Sequence, residues 1–166
     1  MPMSDALLAE FDHEMSTTRE LIARVPAEHL DWKPHPKSTG IGDLAMHICS
    51  LAQWGSMVAR LPELDLNPGG KGFRPPAPRP PSEMTALFDE NVAESRAAIA
   101  AVPDAAMMEP WTLRNNGTAL FTMPRAAVLR TFVMNHLIHH RGQLTVYLRL
   151  RDVPLPSVYG PTADLG

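Results

Sequence analysis

The sequence predicts an all-α protein, one four-helix bundle domain over residues 1–166 with a long crossover connection. Apolar residues recur at spacings of three and four in four segments, and proline-rich stretches separate those segments. A third observation bears on function. Histidines interrupt the apolar face of two segments, His47 in the second and His136 and His140 in the fourth, so faces that should pack inward carry imidazoles needing partners.

The first helix is predicted to begin near Ser4, with Asp5 in its first turn, and to end near Val25, with Leu7, Leu8, Phe11, Met15, Thr18, Leu21 and Ile22 inward. Pro26, Pro34 and Pro36 then make a connector, because proline lacks a backbone donor and pushes its predecessor out of the helical region. His29 and His35 fall among its polar and turn residues and read as exposed. The second helix should open at Ser38 or Thr39 and run from Ile41 to about Leu61, with Leu44, His47, Leu51, Trp54 and Val58 inward. From Pro62 to Pro81 proline and glycine dominate, giving an extended loop long enough to span the bundle and start the next helix at the same end. Its basic residues Lys71, Arg74 and Arg79 read as solvated, with contact to an anionic ligand as the alternative.

Ser82 is expected to cap the third helix, which carries Met84, Leu87, Phe88, Val92, Ser95, Ile99 and Val102 inward and stops at Pro103. Residues 107–122 lack a helical period and suggest two short extended pieces about Asn115, Asn116 and Gly117. The fourth helix is expected from Thr122 or Met123 to about Arg151, with Pro124 in its first turn and Pro154 and Pro156 beyond its end. The tail from Ser157 should lie extended on the bundle.

Composition narrows the function. Apolar residues make up 45% and charged residues 20%, ordinary values for a soluble globular protein. A net charge of −3 gives no electrostatic reason to expect nucleic acid. The single cysteine, Cys49, excludes an intrachain disulfide and a multi-cysteine metal site, and suggests a cytoplasmic location. No basic leader with an apolar run opens the chain, and no apolar stretch approaches the ~20 residues that span a bilayer, so no membrane partner is expected.

His136 and His140 stand about 40° apart on one helix face, within reach of one metal ion, and His47 on another apolar face would complete three imidazoles. Such a set leaves the full divalent charge on the ion and leaves coordination positions open, as in catalytic sites. The ion could acidify a water or hold a thiol as its thiolate, so hydrolysis and thiol transfer are both open. The expected cofactor is a divalent metal, zinc or nickel, although cobalt, iron and manganese also accept imidazole. The alternative is three buried histidines with separate hydrogen-bond partners.

Around them, Asp43, His139 and Gln143 are the further candidates. Asp43, one turn before His47, either orients an imidazole and accepts a proton, or simply favours the helix N-terminus. His139, about 60° from His136, either borders the site or is structural, and Gln143 and Trp54 either line a pocket or pack. Cys49 is rotated about 160° from His47 and is a poor nucleophile. Arg141 and Gly142 suggest a helix approach and a surface or subunit contact, since glycine inside a helix costs roughly 1 kcal/mol and usually needs a packing reason.

The run from Asp43 to Ile48, the run Asn135-His136-Leu-Ile-His-His140-Arg-Gly-Gln-Leu144 and the Val158-Tyr-Gly-Pro161 tail resemble the DinB/YfiT-like superfamily over nearly the whole chain. The resemblance implies a four-helix bundle with an unusual crossover, often a homodimer, and a divalent metal on His47, His136 and His140. Relatives of this kind include S-transferases using bacillithiol, mycothiol or glutathione, and an isomerase of maleylpyruvate. The expectation is therefore a metal-dependent enzyme, either a transferase acting on a small molecule through a low-molecular-weight thiol or a hydrolase. A non-catalytic metal-binding protein of stress response or interaction is the alternative, motivated by the absence of a convincing general base.

Overall fold

The computed structural model describes residues 1–70, 72 and 76–164, so Lys71 and Arg74 lie outside the described residues, while Arg79 is exposed. Helix α1 spans Met3–Ile22 and buries Leu8, Phe11, Met15, Leu21 and Ile22, as its apolar spacing requires. Helix α2 spans Ile41–Arg60 after Gly40, with Ser38 and Thr39 outside it and no side chain capping its first turn. The single inner stripe expected for α2 is too narrow. Ile41, Ala45, Met46, Ile48, Cys49 and Ala52 are buried as well as Leu44, Leu51, Trp54 and Val58, because neighbours cover it on several sides.

Helix α3 spans Pro81–Ala100. Ser82 does not cap it: Pro80 holds the cap position and Pro81 enters the first turn, where its fixed φ suits the helix and its missing N–H is not needed. A short helix α4, Asp104–Met107, follows Pro103. Helix α5, Arg125–Val128, runs through a π-helical segment, Leu129–Asn135, into α6, His136–Arg149.

The side-chain pairs give the helix directions. Arg19 with Asp89 and Arg96 with Asp12 set α1 antiparallel to α3. Cys49 with Met84, and Arg60 with Glu94, set α2 parallel to α3. Glu10 with Arg130 and Glu14 with Arg141 set α1 parallel to the α5–α6 run, and α2 meets that run antiparallel through His47 with His140 and Trp54 with Phe132. The parallel α2 and α3 require the proline-rich connection to travel back along the molecule, which its length allows. Where α2 and α3 cross, Gly55 is obligatory: a Cβ there would stand 2.9 Å from Ser95 Cβ and Oγ. The Ser95 hydroxyl donates to Ala52 O at 2.6 Å and accepts from Ser56 N at 2.9 Å, standing inside the backbone ladder of α2.

The all-α expectation is corrected by a three-stranded sheet. Strand β1, Glu63–Asp65, pairs parallel with β2, Pro110–Asn115, which pairs antiparallel with β3, Thr118–Pro124. The two extended pieces expected at residues 107–122 are β2 and β3, and β3 displaces the expected start of the last helix from Thr122 or Met123 to Arg125. Asn116 (φ 49°) and Gly117 (φ 78°) make the left-handed pair that a tight hairpin needs. Asp65 ties β1 to that turn by accepting N–H bonds from Asn116 at 2.9 Å and Gly117 at 2.8 Å. These bonds and one from Asn67 hold its carboxyl below the usual range.

Two further expectations change. Arg141 makes the helix approach expected of it but not the surface or subunit contact: it is 1% exposed, its guanidinium is 2.6 Å from the buried Glu14 carboxylate of α1, and it donates to the Tyr159 hydroxyl at 2.8 Å. Tyr159 in turn donates to Glu14, so the extended tail is fastened across α1 and α6. His29 is half-buried, with Nε2 2.5 Å from Arg151 Nη2, whereas His35 is exposed as expected. Among the described residues no helix is long and apolar enough to cross a membrane.

Candidate metal centre

His47 sits in the first half of α2, and His136 and His140 open α6, one turn apart. Antiparallel packing of α2 on the last helical run brings them together. Ring centroids are 5.3 Å apart for His47 and His136, 4.6 Å for His47 and His140, and 4.8 Å for His136 and His140. One ring nitrogen from each lies within 4.8 Å of the others, and all three residues are half-buried. The π-helical segment ends immediately before His136; such widened turns recur at functional sites. No periodicity in the sequence marks it.

Burial pushes the His47 pKa down to about 4, with the rings of His140 and His136 adding to the effect. His136 is also lowered, first by burial and then by His140 and His139, against a smaller opposing influence of the Phe132 backbone. Burial lowers His140 too, while its contact with Gln143 opposes this. All three are therefore neutral at pH 7 and carry the lone pair a metal requires.

The second nitrogens bear on the fit. His140 Nδ1 is 2.8 Å from Gln143 Oε1, the arrangement that leaves Nε2 as the free donor. His136 Nδ1 is buried and faces only the backbone of Phe132, one turn earlier, without reaching full hydrogen-bond geometry, so its other nitrogen is left to face His47 and His140. Metal–nitrogen bonds of about 2.0–2.1 Å place tetrahedral ligands roughly 3.4 Å apart, so the rings must draw in by about 1 Å to share an ion. Side-chain rotation supplies that movement, and the donor set fits a divalent metal.

The other candidates divide. Gln143 touches His140, and Trp54 lies against the site as packing, 6.0 Å from the His136 ring and stacked on Phe132 at 5.0 Å. His139 is exposed beside His140, at 4.9 Å between rings, outside the three-nitrogen cluster. Among the described residues, no hydrogen bond joins Asp43 to an imidazole; Asp43 instead lines the cavity that opens over His47 and His140. This cavity of about 640 Å³ is walled by Lys37, Ser38, Thr39, Asp43, Leu44, His47, Pro76, Ala77, His140, Gln143 and Tyr147. Sequence reasoning missed Lys37 to Thr39 and Pro76 to Ala77, since connectors carry no period that reveals what they face. Cys49 is fully buried, with its thiol against Met84 O and its pKa pushed up to about 12, and is no nucleophile.

The sequence model of the DinB family matches residues 1–164. The chain belongs to the DinB family. It is 26% identical over 164 residues to YrdA of Bacillus subtilis (strain 168), described as an uncharacterized protein, an alignment covering 96% of this chain and 90% of YrdA. The crystal structure of a DinB-like protein from Bacillus cereus ATCC 10987 is similar, with a TM-score of 0.69, 20% identity, and coverage of 93% of this chain and 97% of that one. That of the DinB-like protein YjoA from Bacillus subtilis has a TM-score of 0.70 at 18% identity, covering 95% and 99%. These two likenesses concern the fold, and the DinB fold is here mostly helical with a small sheet.

Proposed function

We propose that this DinB-family protein is a divalent-metal-dependent enzyme, a transferase acting on a small molecule through a low-molecular-weight thiol. The observation that carries the reading is the cluster of three neutral imidazoles, two of which, His47 and His140, line a cavity. His47, His136 and His140 would hold the ion, zinc or nickel, which when bound supplies the positive charge that keeps a thiol anionic at neutral pH. The protein's own part is to orient and desolvate. Gln143 fixes the His140 ring through Nδ1, Trp54 and Phe132 pack the His136 side against water, and the cavity wall holds the partner molecule.

Hydrolysis is the weaker alternative, because no carboxylate joins the cluster among the described residues to take a proton from an attacking water. The same observation supports a non-catalytic metal-binding protein as the second reading. A cytoplasmic homodimer built as a four-helix bundle completes the proposal. Elemental mass spectrometry on untagged protein and on His47→Ala tests the centre: about one ion per chain in the parent and little in the variant is expected. No metal in the parent after reloading with Zn²⁺ or Ni²⁺ would overturn it. Calorimetry with physiological thiols on the loaded protein then decides between transferase and the other readings.

A further inference from the structure

The π-helical segment Leu129–Asn135 runs directly into His136. Such segments are rare, so this one calls for a cause and a use. On its outer face, side chains hold the widened turn. The exposed Thr131 donates its hydroxyl to Ala127 O at 2.6 Å, and Arg130 bonds to the Asn135 side chain and lies 3.0 Å from Glu10 of α1. On its inner face, the Phe132 ring is enclosed by Trp54 of α2 at 5.0 Å, Phe121 of β3 at 5.3 Å and His136 at 5.7 Å between centroids. Phe132 is therefore held from three elements at once.

The bonding of such a segment bears on the imidazole that follows it. Its N–H groups reach five residues back and those of an α-helix four, so at the change of step the backbone N–H groups pass over one carbonyl. Here the cap at the exit bonds to Val133 O, and the carbonyl before it, that of Phe132, is the one that His136 Nδ1 faces. We propose that the π-helical segment positions His136 for the metal: the Phe132 carbonyl, passed over by the backbone, accepts Nδ1–H, and Nε2 is thereby presented beside the nitrogens of His47 and His140. Phe132 is then a positioning residue that acts through its main chain, as Gln143 acts on His140 through its side chain. The inference rests on the reading of the three histidines as a metal centre and names what sets the orientation of one ligand.

The first test needs no variant and no metal. Long-range proton–nitrogen NMR correlations on the metal-free protein at neutral pH read which nitrogen of His136 carries the proton, and Nδ1–H is expected. Nε2–H as the main form would overturn the inference. The second test deletes Thr131, which shortens the wide turn by the one residue that separates it from an α-turn and keeps the faces of the helices on either side. Thermal melting verifies that the variant folds. The deletion is expected to weaken Zn²⁺ binding about 10–100-fold, measured in competition with a chromophoric chelator, and to remove the preference for Nδ1–H. A folded variant with the parent's affinity, or with the parent's tautomer, would overturn the inference as well. The two readings fail separately. Nδ1–H in a parent that takes up no Zn²⁺ or Ni²⁺ would sink the metal centre and leave the orienting role of the segment standing. Nε2–H in a parent that binds Zn²⁺ would sink this inference alone.

Discussion

Arg141 shows how far one residue's role can depend on its surroundings. Its ion pair with Glu14 is buried, so removing one partner strands a charge: Arg141→Met should cost about 3–5 kcal/mol in urea unfolding, and the double variant with Glu14→Leu should cost less than the single one. Tyr159→Phe removes a shared hydroxyl and should cost about 1 kcal/mol. The three histidines act differently. Their folded-state pKa values lie below the ordinary 6.5, so as pH falls below 6.5 the unfolded chain takes up protons that the folded chain refuses. Metal-free protein should therefore lose stability progressively from pH 6.5 to about 4, where His47 protonates in the folded state. Thermal melts across that range should show the decline, and His47→Gln should make it shallower. The lowered carboxyls of Asp65 and Asp164 add to the loss only below about pH 5, so the decline between pH 6.5 and 5 belongs to the histidines.

Two glycines in helices mark opposite situations. Gly55 in α2 faces Ser95 of α3 so closely that Gly55→Ala must separate the helices or displace the hydroxyl bridging Ala52 and Ser56. A loss of about 1–3 kcal/mol on denaturation is expected. Gly142 in α6 meets nothing within 4 Å of an added Cβ, so the packing reason expected from the sequence is absent within the described chain. Gly142→Ala should raise monomer stability by about 1 kcal/mol through helix propensity, measured by thermal unfolding. The sequence alone does not separate these two positions. Each is a glycine within an apolar helical pattern, and only the neighbouring helix distinguishes them.

At the scale of the molecule, the candidate centre joins α2 to the last helical run, so a bound ion would act as a tether between distant segments. Binding to the folded state alone stabilises it by about 2.7 kcal/mol at a metal concentration one hundred times Kd. Zn²⁺ or Ni²⁺ should therefore raise the melting temperature of the parent, and His47→Ala should abolish the increase. The connection between α2 and α3 serves this arrangement twice. It returns the chain so that α3 runs parallel to α2, and its Pro76 and Ala77 close one side of the cavity.

Local pattern by itself determined the helices and the pairing of His136 with His140, because a period near 3.6 and a spacing of four are written in the order of residues. It also placed the Asn116–Gly117 turn, because left-handed backbone has a strong residue preference. The three-residue β1 was invisible: too short to show alternation, it is held by pairing with Thr112, Leu113 and Arg114 far along the chain. The burial of Arg141, the burial of α2 on several sides and the meeting of Lys37 with Asp43 at one cavity were equally hidden. A residue's period says which side of its own element it occupies. What stands opposite that side is decided by packing between segments, and charge, burial and hydrogen bonding depend on the neighbour as much as on the residue.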